Sequence, residues 1–122
     1  MARDSVAITQ LTLNDGVAEP TGTTIAPANG AAIAAGGDMR KLLIRVTNTD
    51  GSDRAVTIKA GVSPPAFRAG LGDVSVTVPA TTGVRYLTVE SARFAQADGA
   101  VWLDFATGMT GKVMAFRLPD EL

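Results

Sequence analysis

The chain has 122 residues, 46% hydrophobic and 19% charged, with a net charge of −1. It contains no cysteine and no histidine, which excludes disulfides, thiolate metal sites, thiol nucleophiles and the commonest general base. Its 11 basic and 12 acidic residues form no polybasic run, so nucleic acid is not an expected partner.

The length corresponds to one domain, and a chain of this size buries roughly two-thirds of its unfolded surface. No apolar run reaches about 18 residues, so no membrane span is expected. The start, Met1-Ala2-Arg3-Asp4-Ser5, lacks the apolar core of a signal peptide, and synthesis in a cytoplasm is expected. Valine and threonine are abundant, and 13 Gly with 6 Pro punctuate the chain. Short strands between frequent turns predict an all-β fold.

Residues 5 to 13 read as a strand with Val6, Ile8 and Gln10 on one side. Asn14-Asp15-Gly16 marks a turn. Residues 15 to 38 are rich in Ala, Gly, Thr and Pro, and their only larger apolar side chains are Val17, Ile25 and Ile33. Such a stretch buries little apolar area to offset its ordering entropy. It reads either as an extended loop laid over the domain or as an arm that orders on a neighbour. In the second reading Ile25 and Ile33 are interface candidates. The chain thus divides into a strand and extended segment, 1–38, and a sandwich, 39–122, within one domain.

Met39 to Gly61 carries the strongest pattern. Leu42, Ile44 and Val46 alternate with Lys41, Leu43, Arg45 and Thr47; Val56 and Ile58 alternate with Thr57 and Lys59. A period of two puts each set on one face of a sheet. The residues between, 48 to 53, turn chains readily, which predicts a hairpin with a longer loop. Leu43 falls between two basic residues on the outward parity, which suggests that a second face is covered.

Residues 62 to 73 hold two prolines and two glycines and read as a long loop. Either Phe67 or Leu71 is expected to plug the core edge. The alternative is that Phe67 and Arg68 present a contact to a partner. Val74, Val76 and Val78 alternate with Ser75 and Thr77, and Pro79 ends that strand. Residues 84 to 89 return with apolar groups on both parities. Phe94 is expected to tuck inward from a short helical turn or loop, and Asp98-Gly99 turns. Val101, Leu103 and Phe105 then share one parity, which leaves the only tryptophan, Trp102, facing outward beside Asp104. Outward aromatics are enriched at interfaces; the alternative is that Trp102 packs under the small-residue segment. A final strand spans 113 to 118. The seven or eight strands predict an antiparallel β-sandwich, jelly-roll-like or Ig-like.

No catalytic constellation emerges. Asp50, Ser52 and Asp53 lack the spacing of a calcium loop, no phosphate-binding glycine motif occurs, and Ser63 and Ser75 have no histidine to activate them. No cofactor or metal is expected.

The order of pieces resembles a group of small structural proteins of tailed-bacteriophage virions. The matching pieces are Leu42 to Asn48, Ala55 to Lys59, Val74 to Ala80 (with its V-T-V-P-A end), Gln96 to Val101 and Val113 to Leu118. Thr81-Thr82-Gly83 departs from the Gly-rich turn of that group. The resemblance implies a non-enzymatic capsid decoration (cement) protein on the exterior of the virion head. Its partner would be the major capsid protein, and its state a homo-oligomer, a trimer in first place. A tail-tube, connector or fibre-associated part is the alternative within the virion. A glycan- or ligand-binding sandwich module is the alternative outside it.

Overall fold

The structure is a computed structural model and describes residues 3–34, 39–62 and 66–119. Among the described residues ten strands form in chain order: β1 (Asp4–Ser5), β2 (Ile8–Gln10), β3 (Thr23–Thr24), β4 (Ala31–Ala34), β5 (Leu42–Asn48), β6 (Arg54–Ile58), β7 (Val74–Val78), β8 (Gly83–Leu87), β9 (Ala100–Phe105) and β10 (Lys112–Arg117). One short helix, α1 (Ser91–Phe94), precedes β9. Two sheets enclose one core. The first has the order β1-β4-β9-β6-β7; the second has the order β2-β10-β5-β8, with β3 also on β10. The fold is therefore all-β, as the turn spacing predicts.

The parities hold where the alternation is cleanest. Leu42, Ile44 and Val46 are buried, as are Val56 and Ile58. Val101, Leu103 and Phe105 likewise point into the core. Each set is the apolar face of one strand, and the two sheets bring those faces together.

The pairing differs from expectation in two ways. First, β5 and β6 do not form a hairpin: β5 pairs with β10 and β8, whereas β6 pairs with β7 and β9. Residues 49–53 cross from one sheet to the other, so the apolar sets of β5 and β6 face each other across the core. Asn48 organises the crossing. Its side chain is fully buried, and its Nδ2 donates to the carbonyls of Ser52 (2.9 Å), Val78 (3.1 Å) and Pro79 (3.3 Å). Its Oδ1 accepts from the Asp50 N–H at 3.0 Å. These bonds tie the end of β7 and the turn after β5 to one buried side chain and leave its polar atoms satisfied.

Second, the sheets are mixed rather than antiparallel. β1 runs parallel to β4, and β2 runs parallel to β10. A single extended stretch thus begins in the first sheet and passes to the second, with Val6 buried at the crossing.

The small-residue segment is also more than a loop or an arm. β4 lies between β1 and β9, with Ile33 opposite Val101. Ile33 is 0% exposed and Ile25 6%, so neither offers surface to a partner. The small side chains let this strand fit beside β9 while one isoleucine supplies the apolar volume. Residues 35–38, the end of that segment, lie outside the described residues.

Gly111 shows how tightly the second sheet closes. Its φ is +137°, and a Cβ there would run into the Thr47 carbonyl oxygen. Only glycine meets both conditions.

Candidate interaction surfaces

The described parts of the connections at one end of the sandwich, 59–62, 66–73 and 88–99, build the most exposed apolar feature among the described residues. α1 anchors it. Phe94 inserts into the core as expected, and the Arg93 guanidinium stacks 5.1 Å from its ring centre. Arg93 Nε and Nη2 donate to the carbonyls of Gly72 (3.1 Å) and Leu71 (3.2 Å). The Arg68 N–H donates to Ala92, and the N–H groups of Gly61 and Val62 donate to Arg93 and Ala95. Buried Gln96 ties Ala60 down through Nε2 at 3.0 Å. A 3-10 turn, Ala69–Leu71, closes the loop.

The expectation that Phe67 or Leu71 plugs the core is corrected here. Ala66 is the buried residue, 0% exposed, while Phe67 is 83% and Leu71 55% exposed. Arg68 stands beside Phe67 and pairs with Glu90 at 3.2 Å. Both partners are largely solvated, so the pair adds little stability. Ser63, in the same connection, lies outside the described residues.

A second surface is the outer face of the second sheet. Leu43 and Arg45 of β5, Tyr86 of β8 and Phe116 of β10 line a groove of about 260 Å³ with Leu11, Val17 and Glu19. Leu43 lies half-buried at this groove, and Tyr86 is largely exposed. The 11–22 connection covers part of the sheet, which accounts for the apolar outward parity of Leu43. Arg45 reaches Glu19 at 3.4 Å.

The third surface is the outer face of the first sheet, and its organising residue is Trp102. The ring does face outward, 37% exposed, opposite Ala32 of β4. Arg3 lies over it, 4.8 Å from the ring centre, and donates through Nη1 to Asp104 Oδ1 (2.6 Å) and the Leu103 carbonyl (2.9 Å). Lys59 continues the row, 3.8 Å from Asp104 and 2.8 Å from Asp73. Asp73 Oδ1 accepts the Ala60 N–H at 2.6 Å. Arg3 has no sequence signal of its own; only the pairing of β1 with β4 brings it to Trp102.

That row has a pH signature. The Ala60 N–H, followed by Lys59, holds the Asp73 carboxyl below its ordinary 3.8. A carboxyl lowered in the folded state contributes stability above its unfolded pKa and loses it as pH falls. Asp73→Asn is therefore expected to flatten the acid limb of the stability curve and to be milder near pH 3 than at pH 7 relative to wild type. Thermal melts from about pH 7 to about pH 2 check this. A parallel acid limb in the variant would contradict it.

The calcium-like residues have protein partners. Asp50 Oδ2 receives Arg54 Nε at 2.8 Å, and Asp53 Oδ1 receives the Ala80 N–H at 2.8 Å. Among the described residues no three His, Cys, Asp or Glu side chains gather as a metal site, and no helix is long and apolar enough to cross a membrane. Compared with known proteins, the chain matches no family model, no curated protein and no solved structure.

Proposed function

We propose that the chain is a non-enzymatic structural protein of a tailed-bacteriophage virion, a decoration protein that binds the major capsid protein on the outside of the head. The observation that carries this reading is the Phe67–Leu71 loop. Its two apolar side chains project into solvent while its backbone is pinned from several sides. A projecting aromatic on a pre-ordered loop loses little entropy on binding and suits an anchor into a partner's pocket. Repetition over a symmetric shell would multiply a modest single contact by avidity.

We read the finer architecture as a jelly roll, which suits this role. β3 pairs with β10, β4 with β9, β5 with β8 and β6 with β7, all antiparallel. That nesting is one long hairpin rolled into two sheets, an arrangement used by viral capsid domains among others. The association is one of fold and carries function only by analogy.

Co-sedimentation with expanded capsids that lack the protein tests the proposal. Saturable binding at a stoichiometry set by shell symmetry is expected, with the shell-bound protein a homo-oligomer, the trimer first. Phe67→Asp is expected to weaken binding by more than about tenfold without moving the melting temperature, because Phe67 supports no core contact. Absence of binding to heads would shift the assignment to a tail-tube, connector or fibre-associated part.

A further inference from the structure

We propose that β7 is a self-pairing edge, through which two copies of this chain join their first sheets across a twofold axis. β7 ends its sheet and pairs only with β6 among the described residues. The orientation of its backbone follows from β6. Lys59 N–H donates to Trp102, and Ala106 N–H donates to Ala55. The odd-numbered residues of β6 therefore turn their backbone groups towards β9, and the even-numbered ones turn theirs towards β7. Arg54, Val56 and Ile58 thus exchange hydrogen bonds with Val78, Val76 and Val74. Alternation along an antiparallel strand then leaves the N–H and C=O of Ser75 and Thr77 aimed at the open edge.

The strand is also chemically symmetric about its centre: Val74-Ser75-Val76-Thr77-Val78. An antiparallel twofold at Val76 sets Ser75 opposite Thr77 of the second copy, and Thr77 opposite its Ser75. Both are pairs whose free N–H and C=O groups match, so every outward group of the strand is used. Val76 meets its own equivalent in the closer, non-hydrogen-bonded position. The half-exposed Val74 and Val76 gain cover, and the serine and threonine hydroxyls meet across the strands. A shift towards Pro79 brings in a residue without an N–H.

Natural edges are commonly protected by charge, bulges or short length. The other edges here carry such protection. β1 has two residues, one of them Asp4, and β2 has three. β8 has exposed Arg85 at its centre, which a twofold would place on its own copy. β7 carries no charge over five residues. Charge and hydrogen-bond complementarity therefore select a second β7 as the occupant. The ladder is short of a standard interface, so the association is weak in free solution and shows at high concentration.

Sedimentation velocity over a concentration series, with amide exchange of β7, tests the pairing. The mass is expected to double with concentration, and the Ser75 and Thr77 amides to become protected in step. Two variants should hold the mass at half that value with unchanged melting temperature. Thr77→Pro removes a donor that the single copy leaves unused. The double substitution Ser75→Lys with Thr77→Lys sets lysine against lysine in both pairs. A mass that does not rise with concentration would overturn the pairing. So would a doubling that persists in the folded lysine variant, or Ser75 and Thr77 amides that stay unprotected in the doubled species. The readout needs no capsid, so its failure is separate from failure to bind heads.

Discussion

Ile33→Ala is expected to destabilise the protein by about 3 kcal/mol, the middle of the range for deleting a fully buried branched side chain. Ile33 is 0% exposed and stands opposite Val101 in the β4–β9 pair. A surface arm would tolerate the change within about 0.5 kcal/mol. Urea unfolding separates the two outcomes directly. A companion truncation sharpens the result. Removing residues 1–34 takes away β1 to β4, exposing the inner edges of β9 and β10. The shortened chain is expected to lose cooperative unfolding altogether, whereas removal of a true arm would leave the midpoint unchanged.

The second large effect is expected at Asn48. Asn48→Ala removes one side chain that serves three carbonyls and one N–H in a buried crossing. Leaving buried acceptors unsatisfied costs roughly 1–3 kcal/mol per group, so a loss of at least about 3 kcal/mol is expected for the whole cluster. Asn48→Asp is the informative control. It keeps the volume and the oxygen facing Asp50, but turns a second oxygen towards the carbonyls of Ser52, Val78 and Pro79. It is expected to be at least as damaging as alanine in denaturant titration. A near-wild-type aspartate variant would show that Asn48 fills space rather than holding the crossing.

These two positions also mark where the fold was legible in the sequence and where it was not. The inward faces of β5, β6, β7 and β9 follow from alternation alone, because a half-buried strand must separate its apolar and polar sides. Alternation is silent on which sheet a strand joins. A turn-rich loop between two such strands serves a hairpin and a sheet-to-sheet crossing equally, so β5 and β6 read as neighbours when they face each other. Asn48 carried the missing signal: it continues the Leu42, Ile44, Val46 parity and so had to be buried with partners. Ile33 misleads for a different reason. Burial of a strand among alanines depends on neighbours distant in the chain, and composition records only the small side chains. Phe67 and Ala66 invert the usual expectation of large inside and small outside. The candidate surfaces were visible only in part. Trp102 and Leu43 follow from parity, while Arg3 and the 11–22 covering come from pairing.

The nested strand order also constrains when the protein can become whole. β10 is the last of the described strands to be made, yet β2, β3 and β5 all pair with it. β6 with β7 is the most local of the nested pairs, and each pair outside it closes a longer loop. Native contacts are therefore dominated by separations that are slow to close. During synthesis the first strands must wait, unpaired at one edge, for residues 112–117 to emerge. A ribosome paused before residue 112 would hold a chain whose second sheet has no centre.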